Sequence, residues 1–322
     1  MNVPQKPVDH LPMSIKLTLA AARALGLDRL DAQLLLLHAL GKPASDRAWL
    51  LAHDLDALPD SVNDAFMALA QRRLLGEPVA YLTRHKGFFG LDLHVDARVL
   101  VPRADTEALV EWALAVLDGL DRCEGPAARV DGCAPNSLAR ERALEVLDLG
   151  TGSGAVALAI KHSRPHVQVS ATDFSTDALM VAQANAQRLQ LEVSFSQGAW
   201  LDGIKGRYHV IASNPPYIAA GDPHLHDLAH EPLQALTSGD DGLDDIRTLI
   251  GQAPAHLHAG GWLLLEHGYN QAAAVRALLR HGGFDNVQSR RDLGGNERCS
   301  GGRWTGTGER TGQGNEQGNG LA

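Results

Sequence analysis

The chain has 322 residues, 44% of them apolar, and a formal net charge of −9, which leaves room for one large and one small packed domain. It contains no run of about 18 apolar residues to span a membrane, no charged and then apolar signal peptide, and no pooled run of Lys and Arg to neutralise a nucleic-acid backbone. Its three cysteines, Cys123, Cys133 and Cys299, lack metal-ligand spacing and cannot build a disulfide framework, so a cytoplasmic protein with free thiols, binding neither membrane nor stably nucleic acid, is expected.

Residues 14–76 read as purely helical. Ser14 can cap a first helix that Gly26 ends. Asp28 or Asp31 opens a second, apolar at Leu30, Leu34, Leu37 and Leu40 and stopped by Gly41. Ser45 or Asp46 starts a short third helix around Trp49-Leu50, and Pro59-Asp60 a fourth that runs to Leu75 before Gly76. Helices of this size suit a small bundle rather than an enzyme core, serving either as a stabilising cap or as a substrate-docking module.

Between residues 79 and 101 the period changes. Val79-Ala80-Tyr81-Leu82, Gly87-Phe88-Phe89 and Leu91-Asp92-Leu93-His94-Val95 suggest a β-hairpin with Gly90 at a turn. Val99-Leu100-Val101 then reaches Pro102-Arg103, and Asp105-Thr106-Glu107 begins a helix through Leu117, where acidic residues suit the N-terminus. Residues 119–142, rich in Gly, Pro and charge without periodicity, read as a mobile excursion.

From residue 144 strands and helices alternate, which predicts a parallel α/β sheet. The first strand ends in Gly150-Thr151-Gly152-Ser153-Gly154, and a helix follows from Ala155. Glycines allow close backbone approach to a ligand, and the helix N-terminus offers free N–H groups. Asp173 closes the next strand, about 20 residues on, where an acidic side chain usually grips ribose hydroxyls. Gly150-x-Gly152-x-x-Ala155 also fits the dinucleotide fingerprint, so a nicotinamide dehydrogenase must be weighed. Gly198-Ala199-Trp200 follows the third strand and could lay an indole along an adenine.

The fourth strand, Tyr208-His209-Val210-Ile211-Ala212, runs into Ser213-Asn214-Pro215-Pro216-Tyr217. Two consecutive prolines remove two backbone donors and fix two φ angles, so the chain leaves the sheet in a stiff, extended turn. The Asn214 amide and the carbonyls of Asn214 and Pro215 then make an acceptor cluster for a planar NH2 group, with the Tyr217 ring as a wall. This turn sits at the carboxyl edge of the sheet, where open α/β folds bind ligands. Beyond the fifth strand no His or Lys stands in a recognisable hydride-transfer motif. An adenosine cofactor beside an amide cage suits methyl transfer from S-adenosylmethionine to nitrogen. Asn214, Pro215 and Tyr217 are the catalytic candidates, and Pro216 joins them in holding substrate.

After a His- and Pro-rich loop at 219–236, a helix near 244–257 leads to a fifth strand, Trp262-Leu263-Leu264-Leu265-Glu266. A helix at 271–281 and two last strands at 284–290 and 297–304 follow, and residues 305–322 have the composition of a disordered tail. His224-x-His226 and His256-x-His258 lack a carboxylate or third ligand at a diagnostic spacing, so loop polarity explains them better than a metal.

At this point the residues resemble the release-factor glutamine methyltransferases, S-adenosylmethionine enzymes that methylate the Gln side chain of the Gly-Gly-Gln motif in peptide chain release factors. The likeness covers residues of about 14 to 304 and rests on Gly76-Glu77-Pro78-Val79-Ala80-Tyr81-Leu82-Thr83, Val101-Pro102-Arg103-Ala104-Asp105-Thr106-Glu107, Asp148-Leu149-Gly150-Thr151-Gly152-Ser153-Gly154, Ser213-Asn214-Pro215-Pro216-Tyr217-Ile218, Glu231-Pro232-Leu233 and Leu265-Glu266-His267-Gly268. It implies a seven-stranded, mostly parallel class I S-adenosylmethionine-dependent methyltransferase sheet with a small N-terminal helical bundle and a β-hairpin linker. Gly150, Thr151, Gly152, Ser153 and Gly154 would hold the methionine moiety, Asp173 the ribose, Trp200 the adenine, and Asn214 to Tyr217 the glutamine side chain, Asn214 also bordering the cofactor. The implied organisation is a docking domain at 1–76, the hairpin linker at 77–98, the catalytic domain at 99–304 and the tail at 305–322. Ala104, Arg84, Gly87, His230 and Ala199 depart from the family pattern, and none removes a proposed site group. The same acceptor turn serves enzymes that methylate adenine N6, and a sister enzyme methylates a ribosomal-protein glutamine. Asp105-Thr106-Glu107 resembles the release-factor branch more, and the intact loop and turn argue against a catalytically dead binding protein.

Overall fold

In a computed structural model, which describes residues 13–124 and 143–306, the chain divides into two units. One comprises Met1–Lys86 with the short segments Val95–Ala97 and His226–His230, and the other comprises the rest.

Polar side chains set the helix starts of the first unit. The Ser14 hydroxyl accepts from the Leu17 N–H at the head of α1 (Ile15–Ala24), and Asp28 accepts from Leu30 and Asp31 at the head of α2 (Arg29–Ala39). Three more helices follow, α3 (Arg47–Ala52), α4 (Asp60–Leu74) and α5 (Val79–Thr83). The buried face of α2 is Ala32, Leu35, Leu36 and Leu37, while Leu30 is exposed. The expected stripe through Leu30, Leu34, Leu37 and Leu40 is therefore displaced. Because α2 packs against α1, α3, α4 and α5, it buries consecutive positions rather than one narrow stripe.

The second departure is α5. Residues 79–82, expected to be extended, are helical: Pro78 leads into the turn, the Thr83 hydroxyl bonds back to the Val79 carbonyl at 2.9 Å, and Leu82 is buried in the helical core. Arg84, one of the departures from the family pattern, ends the helix in the left-handed conformation at φ 61°. The hairpin itself is shorter, β1 (His85–Phe88) and β2 (Leu91–His94), turning through Phe89 and Gly90, both at positive φ as a tight two-residue turn requires.

The second unit holds a seven-stranded sheet of β3 (Glu145–Leu149), β4 (Gln168–Asp173), β5 (Ser194–Gln197), β6 (Tyr208–Ser213), β7 (Leu257–Glu266), β8 (Asp285–Arg291) and β9 (Glu297–Arg303), in the order β5-β4-β3-β6-β7-β9-β8. The first five strands in that order are parallel, and β9 runs antiparallel to both neighbours. This is the class I methyltransferase fold. Its helices are α6 (Glu107–Glu124), α7 (Ala155–Ser163), α8 (Thr176–Leu189), α9 (Asp244–His256) and α10 (Ala272–His281). The chain moves outward from β3 to β5 and returns to place β6 beside β3, so the connections diverge between β3 and β6 and open a crevice at their carboxyl ends.

The helix expected to end at Leu117 continues to Glu124. Arg164 holds Asp118 at 2.7 Å and His166 lies 3.5 Å from Asp121, which fastens the last turns to the sheet layer. Residues 119–124 are thus helical, while the rest of the expected excursion, 125–142, lies outside the described residues, as do residues 307–322 of the expected tail.

Candidate active site

The glycine loop, the Asp173 turn, the Trp200 turn and the Asn214 turn all leave the carboxyl ends of adjacent parallel strands, β3, β4, β5 and β6. Position in the sheet therefore gathers residues that run from Gly150 to Asn214 in the sequence. Within the loop, the Thr151 N–H donates to the Thr172 carbonyl at 2.9 Å and the Gly152 N–H to Asp173 Oδ2 at 2.8 Å. Asp148, buried at the end of β3, accepts from the Thr151 hydroxyl at 2.6 Å and the Ala157 N–H at 3.1 Å, bracing the loop against the first turn of α7. Burial pushes the Asp148 carboxyl up to about 7; the two hydrogen bonds oppose that rise and the Asp173 charge adds to it. Asp173 accepts from Ser175 N–H through its other oxygen at 2.9 Å, and burial likewise raises its pKa against its backbone hydrogen bonds.

A cavity of about 260 Å³ opens over these groups, lined among others by Gly150, Gly152, Asp173, Trp200, Asn214 and Pro216. The indole of Trp200 lies against Gly150 so closely that a Cβ there would sit 3.2 Å from its Cζ3, and its Nε1 donates to Asp245 Oδ1 at 3.0 Å. A smaller cavity of about 50 Å³ adjoins it, lined by Thr151, Ser153, Thr106 and Asp148 and sharing Gly150, Gly152 and Asn214 with the first. Of the residues expected to bind cofactor, Gly154 lines neither cavity: it is buried, and a Cβ there would strike Leu158.

Asn214 stands between the two cavities. Its Nδ2 donates to the Thr106 hydroxyl oxygen at 3.1 Å, while the preceding Ser213 hydroxyl ties β6 to β3 through the Leu149 carbonyl at 2.7 Å. Pro216 faces the larger cavity, whereas Pro215 is buried and neither it nor Tyr217 lines either of these two cavities. Burial first, and then the Glu266 charge, push the Tyr217 phenol well above its ordinary range against Arg298 and Arg103, so it stays protonated. Downstream, the Ile218 N–H donates to the Leu236 carbonyl at 2.9 Å, the Ser238 N–H donates to the Ile218 carbonyl at 3.0 Å, and Gln271 holds the Tyr217 carbonyl at 3.0 Å.

Sequence reasoning assigned no role to Thr106, Asp148, Glu231, Asp245 or Glu266. Glu231 is buried, accepts from the Val101 N–H at 3.0 Å and pairs with Arg103, joining two motifs that were read separately. Glu266 is fully buried at the end of β7, and neither carboxylate oxygen closes a hydrogen bond of ordinary geometry among the described residues. Burial pushes it up to about 7, and the nearby Thr106 hydroxyl, Arg298 and Arg103 pull it back only in part. Thr106, Asp148, Glu231 and Glu266 stand in the quoted motifs, whereas Asp245 stands in none; what they touch depends on the fold.

At the opposite edge of the sheet, Glu145, His209 and His258 come together, a grouping that the His256-x-His258 spacing alone did not reveal. His258 Nε2 lies 3.2 Å from Glu145 Oε2, and His209 Nδ1 accepts from the Glu145 N–H at 3.0 Å. A neutral imidazole accepting at Nδ1 carries its proton on Nε2, which leaves that ring no lone pair for a cation.

A family model described as Methyltransferase small domain matches residues 135–240, and one described as PrmC N-terminal domain matches residues 14–83. The chain is 46% identical over 298 residues to the release factor glutamine methyltransferase of Xylella fastidiosa, covering 91% of this chain and 100% of that one. It is 47% identical over 280 residues to the release factor glutamine methyltransferase of Pseudomonas aeruginosa, covering 86% and 92%. Among solved structures, the hMettl16 catalytic domain in complex with MAT2A 3'UTR hairpin 1 matches with a TM-score of 0.50 at 13% identity, over 76% of this chain and 81% of that one. That likeness speaks for the fold alone.

Proposed function

The chain belongs to the release factor glutamine methyltransferases, which are S-adenosylmethionine-dependent enzymes, and from that premise we propose that Asn214 and the Pro215-Pro216 turn hold the glutamine carboxamide of a peptide chain release factor for methylation at nitrogen. The residues present fit the cofactor. The Gly150 surface against Trp200 is a slot that a Cβ would fill, and Asp173 borders the same cavity. We assign the indole to the adenine, Asp173 to the ribose, and Gly150, Thr151, Gly152 and Ser153 to the methionine end, with Gly154 shaping the loop from behind. When bound, S-adenosylmethionine supplies an electrophilic methyl group on its sulfonium.

The carboxamide nitrogen is a poor nucleophile because its lone pair is delocalised into the carbonyl. Asn214 Oδ1 and a carbonyl of the Asn214-Pro215 segment would accept its two hydrogens, orient it, and favour the positive charge that develops on it. The stiffness of the double-proline turn keeps these acceptors in place, so most of the acceleration comes from near-attack positioning at about 3–3.5 Å. Tyr217, held protonated and set behind the two cavities, braces the turn rather than acting as a base.

The observation that carries this reading is the hydrogen bond from Asn214 Nδ2 to Thr106, which leaves Oδ1 as the amide end free to face the cavity. The test is turnover of Asn214→Ala on a release factor with labelled cofactor. We expect a loss of about 10²–10³-fold, as for one preorganised hydrogen-bonding group. Turnover near that of the unaltered enzyme removes Asn214 from the mechanism.

We assign residues 1–76 to release-factor docking, residues 77–98 to a linker and residues 99–304 to catalysis. Leu17, Leu25, Leu51, Leu55 and Leu75 of the first unit are exposed, which supports a protein-binding role. A net charge of −9 supports a protein substrate over DNA or RNA, and a release-factor substrate supports a cytoplasmic place of work. Among the described residues no helix is long and apolar enough to cross a membrane.

A further inference from the structure

We propose that Glu266 and Thr106 are positioning residues that fix which end of the Asn214 carboxamide faces the substrate. The inference rests on the reading of Asn214 given above and explains how its orientation is chosen. An asparagine side chain is nearly symmetric in shape, and the two orientations have opposite consequences. With Oδ1 toward the cavity it accepts from a glutamine NH2. With Nδ2 there, donor meets donor and the amide is repelled.

The register of the sheet places Glu266 beside Asn214. Ser213 of β6 pairs with Leu265 of β7, so the next residue on each parallel strand is Asn214 and Glu266. Thr106 is 4% exposed, and its Oγ1 accepts from Asn214 Nδ2 at 3.1 Å. Glu266 is 0% exposed, and among the described residues both its oxygens lack a hydrogen bond of ordinary geometry. A carboxylate can only accept, and a threonine hydroxyl has a single proton to give. The Thr106 hydroxyl lies near enough to Glu266 to pull its pKa down, so an ionised Glu266 draws that proton toward itself and turns the lone pairs of Thr106 to Asn214. Asn214 must then present its NH2 inward and its Oδ1 to the cavity. Protonating Glu266, or replacing its carboxylate by an amide, allows the reverse: Thr106 accepts from position 266 and donates to Asn214 Oδ1.

The groups that act on Glu266 are Arg298 and Cys299 on β9, Arg103 and Asp105 ahead of α6, and Tyr217 after β6. Arg298 is itself held by Asp105 at 3.1 Å and Asp292 at 3.2 Å. Its charge favours the ionised carboxylate, whereas Asp105 opposes it. Ionised Glu266 is thus the competent form, and the relay weakens as pH falls through about 7.

The experiment measures kcat, KM and pH profiles on a release factor for Thr106→Val, Thr106→Ser and Glu266→Gln, each alone and combined with Asn214→Ala. Affinity for S-adenosylhomocysteine and thermal unfolding are followed in parallel. Thr106→Val and Glu266→Gln are expected to lower kcat by about tenfold or more, with S-adenosylhomocysteine affinity within about twofold and Thr106→Ser recovering most of the loss. Glu266→Gln is also expected to lack the acid limb near pH 7 that the relay predicts for the unaltered enzyme. In the Asn214→Ala background both changes add nothing, because they act only through Asn214. If Glu266→Gln does not fold, the two Thr106 variants decide. Thr106→Val at undiminished kcat, or a full further loss on top of Asn214→Ala, overturns the relay. Undiminished turnover of Asn214→Ala itself overturns the underlying reading instead.

Discussion

Replacing Gly150 with alanine probes the contact between the glycine loop and the Trp200 indole. Gly150 has φ +69°, where an L side chain costs about 1–2 kcal/mol. Its new Cβ would lie 3.2 Å from Trp200 Cζ3 and 3.6 Å from Cη2, inside comfortable contact. The ring cannot simply swing away, because Nε1 is bonded to Asp245 Oδ1 at 3.0 Å and Trp200 itself sits at φ 54°. Either the ring retreats under strain or that bond is lost, which adds about 1.5–3 kcal/mol for a bond to a charged group. The sum, roughly 3–5 kcal/mol, corresponds to a fall in melting temperature of about 6–20 °C at about 2–4 °C per kcal/mol for a domain of this size. Gly152→Ala is the control: it shares the positive φ, +56°, but its Cβ meets nothing within 4 Å among the described residues, so only the backbone part, about 1–2 kcal/mol, applies. Calorimetric melting and S-adenosylhomocysteine titration of both variants supply the comparison. Gly150→Ala should melt below Gly152→Ala and bind at least about tenfold more weakly than the unaltered enzyme, a loss of about 1.4 kcal/mol. If Gly150→Ala melts no lower than Gly152→Ala and binds normally, the indole does not rest on Gly150.

Asp148 carries a linked pH dependence. Its pKa is raised from 3.8 to about 7 in the fold, so its contribution to stability is full below 3.8 and is lost as pH rises to about 7. Relative to Asp148→Asn, which does not titrate, the unaltered chain should lose about 3 kcal/mol between about pH 5 and pH 8; parallel denaturation curves for the two proteins across that range would sink this account. The Arg103–Glu231 pair should respond asymmetrically, since the Glu231 side chain is 3% exposed and that of Arg103 is 39% exposed. Arg103→Gln strands a buried carboxylate and should destabilise by about 3 kcal/mol or more, whereas Glu231→Gln leaves an arginine that reaches water and should cost less. Urea unfolding of the two variants decides the order, and the reverse order contradicts the assignment.

Local signals were the legible part of this chain. Ser14 and Asp28 cap helices as their side-chain chemistry requires, and the strand ends at Leu149 and Asp173, and within one residue the end at Ser213, could be read because a glycine, a turn or a proline interrupts each one. Residues 79–82 were misread because two β-branched or aromatic residues suggest extension, while Pro78, Thr83 and burial of Leu82 favour one helical turn. The end of α6 was missed because Asp118 and Asp121 find partners in Arg164 and His166, far along the chain. The same reason hid the supports of the site. Thr106 meets Asn214 across 108 residues, and Glu231 meets Val101 across 130, and only the strand order brings them together. The Glu145, His209 and His258 grouping arose in the same way, from three strands whose starts share one edge.

The central claim is that a rigid acceptor turn presents a release-factor glutamine for methylation. Its most direct test is to incubate the enzyme with methyl-labelled S-adenosylmethionine and a release factor, then locate the label by fragment mass spectrometry. The account predicts one methyl group on the side-chain nitrogen of the glutamine in Gly-Gly-Gln, absent when that glutamine is replaced. Label on any other residue of the factor, or label reaching only ribosomal protein or DNA offered in its place, contradicts it.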